Sequence, residues 1–339
     1  MRGIVFKKIC FLPLFISMLF MSACNNDENS EDDTITLSFA NELPGSHPWG
    51  QSAEEFKKIV EEESDGNLKI VIHNGGSLGS SGYEILEGTG LGTIDIGIAS
   101  TPVSQILPKF ELFSLPYLFK NREEAWEVLD GETGSKIVED LEKQNLKHMA
   151  YWEDGYRQVT NNIRQIHAPE DFESLRIRVP ESTLRMDTFE ALGSSPLPMS
   201  FSEVFTALQQ GTIDGQENPL SVIENSSFYD VQEYLTITNH VYSPATLFIN
   251  NEVWEDLTPE HQEILIKGAE AGRDLNRRLN EEQDQTVIEK LKERGMDVYT
   301  LSEEEMEDFQ EVTLPVYEKL MEDLGGNSRE IIDSILKRD

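Results

Sequence analysis

The sequence is poor in cysteine. Its 339 residues contain two, Cys10 and Cys24, and both lie near the N-terminus. A disulfide framework or a cysteine-based metal site is therefore excluded for the rest of the chain. The six histidines are scattered, and no two of them have the spacing that metal-binding helices use. We expect neither a metal nor a cofactor.

Basic residues are also scarce: 28 Lys and Arg stand against 63 Asp and Glu, which gives a formal net charge of −35. Such a chain repels the phosphates of nucleic acids, so nucleic-acid binding is excluded. A phosphate-binding G-x-x-x-x-G-K-[ST] loop is absent as well. Hydrophobic residues make up 38% of the chain and charged residues 27%, a globular balance that can form a sizeable core.

The first 23 residues are typical of an export signal. Basic residues precede an apolar run over residues 9–21, which is followed by Ser-Ala and then Cys24. This ending resembles a bacterial lipoprotein signal, in which Cys24 would be lipidated and become the mature N-terminus. Ordinary secretion with an incidental cysteine is the alternative. We expect residues 24–33 to be a tether and the protein to be extracytoplasmic, on the outer face of a Gram-positive cell membrane or in a Gram-negative periplasm.

From residue 34 onwards, predicted strands alternate with predicted helices, which indicates an α/β fold. The predicted strands cover residues 35–40, 68–73, 94–99, 147–152, 175–179, 234–238 and 246–250. The predicted helices in the same region cover residues 49–63, 83–87, 122–129, 135–144, 183–192 and 202–210.

An unusually long helix is predicted next. Thr258 is a suitable N-cap, Pro259 suits the first helical position, and no proline interrupts the pattern until beyond Arg294. A helix of about 35 residues is roughly 50 Å long, which exceeds the width of one small domain. It should therefore brace two lobes, with a ligand cleft between them. A capping-box pattern that starts at Ser302 predicts a further helix.

Arginine is concentrated in one part of the chain. Five arginines and no lysine occur within 29 residues, namely Arg157, Arg164, Arg176, Arg178 and Arg185. Arginine binds carboxylates bidentately, so the cluster suits an anion site, although salt bridges to the many acidic residues are the alternative. Arg178 stands out because it lies near the carboxyl end of a predicted strand, where α/β proteins bind ligands. Asn218, in the string G-Q-E-N-P, could add an amide, or the string could be a simple turn.

Several short strings occur in the order in which one transporter family carries them. They are F-A-N-E-L (39–43) with H-P (47–48), L-G-T-I-D (91–95), L-P-Y (115–117), R-Q-V-T-N-N (157–162), L-R-I-R-V-P (175–180), M-S-F-S-E-V (199–204) and G-Q-E-N-P (215–219). On this ordered set the chain resembles the solute-binding subunit of TRAP transporters, the tripartite ATP-independent periplasmic family, of DctP type. The resemblance extends from residue 34 to the C-terminus.

The resemblance implies a two-lobed, periplasmic-binding-protein-like α/β fold with a long helix bracing both lobes. Lobe I would comprise residues 34–155 with about 243–283, and lobe II residues 156–242 with about 284–339. The protein would be a binding subunit and not an enzyme. It would capture a carboxylate-bearing organic acid, close its lobes and deliver the acid to small and large membrane subunits of DctQ and DctM type. It would touch the membrane only through its lipid.

The resemblance also implies site residues. Arg178 would make the central salt bridge to the ligand carboxylate, and Arg157 and Asn218 would belong to the same clamp. The other residues implied to line the cleft or contact the ligand are Asn41, His47, Ser100, Thr101, Phe201, Trp152, Tyr156, Glu181 and Tyr242.

Two positions depart from the family pattern and bear on the ligand. Gly82-Tyr83-Glu84 stands where members often have Glu-Arg-Glu, and Glu181 stands where several relatives have a neutral polar residue. A carboxylate at position 181 could accept hydrogen bonds from sugar hydroxyls or repel a second ligand carboxylate. We therefore favour a hexuronate, such as glucuronate or galacturonate, over a C4-dicarboxylate.

Two other functions stay open. A ligand-sensing partner of a histidine kinase would share every feature above. A secreted serine hydrolase would use Ser77, because residues 75–79 match G-x-S-x-G between a predicted strand and a predicted helix. Glycine-rich loops produce this short pattern by chance, and the family resemblance runs through it. We therefore do not expect Ser77 to be a nucleophile.

Overall fold

The structure is a computed structural model that describes residues 34–337. The predicted signal peptide, tether and lipidation site Cys24 lie outside the described residues. In the described part of the chain, no helix is both long enough and apolar enough to cross a membrane.

Residues 34–337 contain nine strands and eleven α-helices. The strands are β1 (Ile35–Ala40), β2 (Leu68–His73), β3 (Ile96–Ala99), β4 (Leu146–Asn161), β5 (Arg176–Val179), β6 (Ser195–Pro198), β7 (Gly215–Pro219), β8 (Tyr234–Asn250) and β9 (Asp297–Thr300). The helices are α1 (Pro48–Glu63), α2 (Gly82–Gly90), α3 (Arg122–Leu129), α4 (Glu132–Val138), α5 (Thr183–Ala191), α6 (Phe201–Gln209), α7 (Leu220–Asn225), α8 (Asn251–Asp256), α9 (Pro259–Glu293), α10 (Glu303–Leu324) and α11 (Ser328–Leu336).

All strands belong to one sheet, in the order β2-β1-β3-β8-β4-β7-β5-β6, with β9 beside β8. Parallel strands form both ends of the sheet, β2-β1-β3 at one end and β7-β5-β6 at the other. Two long antiparallel strands join these ends, because β4 and β8 pair from Leu146 opposite Asn250 to Asn161 opposite Tyr234. The two-lobed α/β fold is thus confirmed, with β4 and β8 running through both lobes.

The two long strands are longer than the sequence pattern predicts. The sequence pattern predicts that β4 ends at residue 152 and that β8 is divided between residues 238 and 246. The stretch missed in β4 is mostly polar, as in Glu153-Asp154-Gly155, and the stretch missed in β8 contains Pro244, so neither has the alternation that marks a strand. The pairing shifts register between Glu153 and Gly155, and Gly155 has φ 121°, a conformation that favours glycine.

Helix α9 is the predicted long brace and has the predicted N-cap, since Thr258 Oγ1 accepts the N–H of His261 at 3.2 Å. Its first half packs on α1 and β4, where Trp152 Nε1 donates to the Ala269 carbonyl at 3.0 Å. Its second half packs on α7, where Lys290 pairs with Glu224 at 3.0 Å. One helix therefore contacts both lobes.

Close packing of α9 on β4 depends on Gly272. A side chain at this position would collide with the buried Trp152 ring. We expect Gly272→Val to lower the free energy of unfolding by about 2–3 kcal/mol, because overpacking a core costs this much. Urea unfolding of the variant would measure the loss. Glu270→Val, an exposed change on the same helix, serves as control and should cost no more than about 0.5 kcal/mol. Equal losses in both variants would contradict the prediction.

The C-terminal helices divide their contacts between the lobes. The first part of α10 belongs to lobe II, where Phe309 packs against Phe172. After Pro315, Val316 and Leu320 pack with the core of lobe I, and Ile332 of α11 does the same. This packing differs from the expected grouping of residues 284–339 with lobe II, because the apolar side chains after Pro315 pack with lobe I, although Lys319 still pairs with Asp187 of α5 at 2.6 Å.

Candidate ligand-binding site

A cavity of about 540 Å³, measured with its open mouth, lies between the two ends of the sheet. The lining residues are Glu42, Leu43, Trp49, Ser81, Gly82, Tyr83, Ser100, Thr101, Pro102, Asp154, Arg157, Arg178, Pro180, Glu181, Met199, Ser200, Phe201, Asn218 and Val222.

Most of the expected site residues meet in this cavity. Those that line it are Ser100, Thr101, Arg157, Arg178, Glu181, Phe201 and Asn218. Asn41, His47, Trp152, Tyr156 and Tyr242 do not line it.

Asn41 and His47 shape the loop between β1 and α1. His47 Nδ1 accepts the N–H of Trp49 at 3.1 Å and so caps α1, and its Nε2 lies 3.2 Å from Ser221 Oγ. Burial lowers the pKa of His47 to about 3, which keeps it neutral. Asn41 Oδ1 accepts the N–H of Leu43 at 2.7 Å. Both side chains therefore serve the local backbone rather than the cavity, which corrects the expectation that they line it.

The aromatic residues that were expected to contact the ligand point into the hydrophobic cores of the protein instead. Trp152 is fully buried beneath α9. Tyr242 donates its hydroxyl to Glu153 Oε2 at 3.1 Å, and the Tyr156 hydroxyl donates to the Phe119 carbonyl at 3.2 Å. The polar atoms of these aromatic residues are hydrogen-bonded within the protein. The residues therefore stabilise the two long strands and do not line the cavity.

Arg157 is saturated by partners within the protein. Its Nε and Nη2 bind both oxygens of Glu217, and its Nη1 donates to Asp154 Oδ2 at 2.9 Å. Nη2 also donates to Asn218 Oδ1 at 3.0 Å. Burial alone would raise the pKa of Glu217, but Arg157 and Arg185 outweigh it and hold that pKa well below its usual value. The Arg157 charge is thus neutralised before any ligand arrives.

Arg178 is held differently. Its side chain is 3% exposed, and both Nε and Nη2 donate to the Met199 carbonyl, at 2.9 and 2.6 Å. Among residues 34–337, no carboxylate lies within salt-bridge distance of it, and its Nη1 has no hydrogen-bond partner. Burial lowers its pKa to about 10, so the guanidinium is still charged at neutral pH. It is a positioned cation that faces the cavity.

Three carboxyl groups also line the cavity. Glu42 accepts the N–H of Gly82 at 2.9 Å, and burial raises its pKa to about 7. Burial likewise raises the pKa of Asp154 to about 6, although Arg157 opposes the rise. Glu181 is exposed at the mouth. Such groups accept hydrogen bonds from ligand hydroxyls.

Sequence reasoning did not single out Glu42 or Asp154. Glu42 follows Ala40, the last residue of β1, by two positions, so the argument from strand ends that selected Arg178 could have selected it too. Asp154 lies in the stretch of β4 that the pattern missed, and no local signal marks it.

Ser77 lies outside this site, on the exposed loop after β2. In the described part of the chain, no histidine or carboxylate is hydrogen-bonded to it, so the arrangement of a hydrolase is missing there. Nor does that part contain a group of three or more side chains that could hold a metal ion.

Comparison with known proteins gives a family match. The model of the bacterial extracellular solute-binding proteins, family 7 (DctP), matches residues 39–324. The 2,3-diketo-L-gulonate-binding periplasmic protein YiaO of Escherichia coli is 34% identical over 266 residues, 78% of this chain and 81% of that protein. The C4-dicarboxylate-binding protein DctB of Bacillus subtilis is 30% identical over 315 residues, 92% of this chain and 89% of that protein.

Solved structures agree with the family match. The sugar acid binding protein DctPAm of Advenella mimigardefordensis, in complex with galactonate, has a TM-score of 0.85 and 32% identity, and covers 89% of this chain and 96% of its own. A TRAP periplasmic solute-binding protein of Sulfitobacter with bound β-D-galacturonate has a TM-score of 0.84 and 28% identity, and covers 89% and 99%. One of Sulfurospirillum deleyianum with bound succinate has a TM-score of 0.85 and 25% identity, and covers 90% and 99%.

Proposed function

The chain belongs to the bacterial extracellular solute-binding proteins of family 7, the binding subunits of TRAP transporters, and from this membership we propose that it captures a hydroxyl-rich sugar acid. A hexuronate such as galacturonate or glucuronate fits best. Membership makes the protein an extracytoplasmic transport component rather than an enzyme. The observation that carries the proposal is the charge of the cavity, in which one available guanidinium, that of Arg178, faces three carboxyl groups.

The carboxylate of the ligand binds Arg178 in this proposal. Burying a carboxylate is costly unless a cation and hydrogen bonds replace its water, and Arg178 has N–H groups free for that purpose. Asn218 lines the same part of the cavity. Arg157 orients Asn218 through its 3.0 Å hydrogen bond and acts as a positioning residue, because Glu217 and Asp154 already neutralise it.

The remainder of the ligand carries hydroxyl groups. Hydroxyls can donate to Glu42, Asp154 and Glu181, whereas a second carboxylate would lie among like charges. Galactonate and galacturonate, bound by two structures similar to this chain, are acids of this kind. A C4-dicarboxylate is the second candidate, since the chain resembles DctB along 92% of its length. The three carboxyl groups favour the sugar acid.

Lobe closure completes the proposal. We assign residues 34–155 with about 243–283 to lobe I and residues 156–242 to lobe II, so that the lining residues come from both. A ligand that contacts both lobes shifts the population towards the closed state. The closed protein would then dock on small and large membrane subunits of DctQ and DctM type, and a lipid on Cys24 would keep it near them.

A ligand screen tests the proposal. The mature protein would be melted with hexuronates, aldonates, C4-dicarboxylates, 2-oxoacids and sialic acid in turn. A ligand at 100 times its Kd stabilises the folded state by about 2.7 kcal/mol, which gives a clear rise in Tm. We expect the largest rise with a hexuronate or an aldonate. A largest rise with succinate or malate, or no rise with any acid, would refute the sugar-acid proposal.

A further inference from the structure

We propose that Glu42 and Thr101 form a hydroxyl-binding subsite on the lobe I wall of the cavity, and that Glu42 excludes ligands that carry a second carboxylate. The inference rests on the proposed function, because it requires a sugar acid whose carboxylate is held at Arg178. It adds the residues that contact the end of the ligand farthest from the carboxylate at Arg178.

The two walls of the cavity differ in charge. Both lining arginines, Arg157 and Arg178, belong to lobe II. The lobe I wall is formed by the lining residues between positions 42 and 102 together with Asp154. These residues include no lysine, arginine or histidine, and their charged side chains are Glu42 and Asp154. A ligand that extends from Arg178 across the cavity therefore meets a carboxylate on the opposite wall.

Glu42 is positioned by the backbone. Its Oε2 accepts the N–H of Gly82, the first residue of α2, at 2.9 Å. Its Oε1 has no hydrogen-bond partner among residues 34–337, so that oxygen is available to a ligand hydroxyl. Three charged groups act on its pKa: Asp154 raises it, and Arg178 and Arg157 lower it. Because burial raises the pKa of Glu42 to about 7, the group is ionised at pH 8.

Thr101 supplies a second and independent observation. Its side chain lines the cavity and is 5% exposed, yet its Oγ1 has no hydrogen-bond partner. The neighbouring Ser100 hydroxyl is already committed, because it donates to the Pro244 carbonyl at 2.8 Å. An unpartnered buried hydroxyl is costly unless a ligand satisfies it. Thr101 and Glu42 together offer a donor and an acceptor to adjacent sugar hydroxyls.

A carboxylate at this end of the ligand would be unfavourable. It would lose its hydration in front of Glu42 and Asp154, with no cation on that wall to compensate. Glu181, which the sequence suggested for this role, is exposed at the mouth, where water and salt screen its charge. Glu42 is therefore the specificity-determining carboxylate.

Galactonate and galactarate make a matched pair of ligands, since they differ only at C6, where galactarate has a carboxylate in place of a hydroxymethyl group. Calorimetric titration at pH 8 should show that the wild-type protein binds galactonate at least 100-fold more tightly. Glu42→Gln, which still accepts the Gly82 N–H, should reduce this preference at least 10-fold by admitting galactarate. Thr101→Val should weaken galactonate binding about 10-fold. If galacturonate is the sugar acid that binds, it takes the place of galactonate, and only the change in preference from wild type to variant is compared, because galacturonate also differs from galactarate by its ring.

Glu87→Gln is the control, because it removes an exposed carboxylate of α2 that does not line the cavity, and it should leave the preference within 3-fold of wild type. The inference is overturned if Glu42→Gln, folded by its thermal melt, keeps the wild-type preference, or if Glu87→Gln relaxes it equally. Equal wild-type affinity for both acids also overturns it. If the sugar-acid proposal itself is wrong, the observation is different, because the wild-type protein then binds neither galactonate nor galacturonate.

Discussion

Replacing Arg178 with alanine is expected to raise the Kd of the sugar acid at least 100-fold while leaving the unliganded protein as stable as wild type, or more stable. Losing one partner of a buried charged pair costs roughly 2–5 kcal/mol of binding free energy. The unliganded protein loses a buried cation that is bonded only to the Met199 carbonyl, and such a loss carries little penalty. Calorimetric titration and a thermal melt without ligand measure the two effects.

Arg176→Ala is the matched control for this prediction. Arg176 lies two positions earlier on β5 and is exposed, and its guanidinium binds Asp214 instead of lining the cavity. Its removal should leave Kd within about 3-fold of wild type, since exposed pairs contribute little. If Arg178→Ala bound the ligand as tightly as Arg176→Ala, the ligand carboxylate would bind a residue other than Arg178.

The largest effect on stability is expected from Glu217→Ala. Arg157 and Glu217 are both buried, and removing Glu217 takes away the carboxylate that binds Arg157 through both oxygens and leaves Asp154 to pair with it, at a cost of about 3–5 kcal/mol. Urea unfolding at pH 7 measures the loss. The pKa of Glu217 is depressed in the folded protein, so its contribution is complete above the usual pKa near 4.5 and is lost as the pH falls towards the folded value. The difference between variant and wild type should therefore shrink in acid.

Two further variants separate the ion pair from the packing around it. Replacing both partners, in Arg157→Met with Glu217→Leu, should recover part of the stability, because the Arg157–Glu217 pair is then removed as a whole, although Asp154 also loses its partner. Glu318→Ala breaks an exposed pair with Arg329 and should cause no measurable loss. A Glu217→Ala protein as stable as Glu318→Ala would show that Arg157 does not need its partner.

The parts of the fold that the sequence predicts are those with regular patterns and caps. Strand β1 and helix α9 have the expected bounds, because apolar periodicity and the Thr258 cap mark them. Strand β7 was interpreted as a turn or a ligand string, yet all five of its residues are buried. Its polar side chains are buried because they bind one another and β4: Gln216 donates to Thr160, and Asn218 donates to Gln216. No hydrophobic pattern records such a network.

The sequence predicts some residues of the cavity but not how they are paired, for a related reason. Residue type and strand position pointed to Arg178, the arginine cluster and the G-Q-E-N-P string marked Arg157 and Asn218, and the family resemblance gave all three a role in one clamp. The resemblance could not say that Arg157 would be neutralised, because Asp154 and Glu217 reach it only in the folded sheet. Nor could it separate ligand contacts from caps, and His47 is a cap. The sequence shows what each residue type can bind, but it does not show which residues that side chain contacts in the folded protein.

The position of β8 in the sheet has a consequence for the order in which the chain folds. Strand β3 finds its neighbour more than 150 residues later, since Ile96 lies opposite Ile249, and β4 also pairs along β8. Pairings between such distant segments form slowly. A chain that emerges from its N-terminus cannot join the two ends of the sheet until β8, which ends at Asn250, has appeared. We expect the nascent protein to stay unfolded long enough to be threaded through an export channel and to fold on the far side.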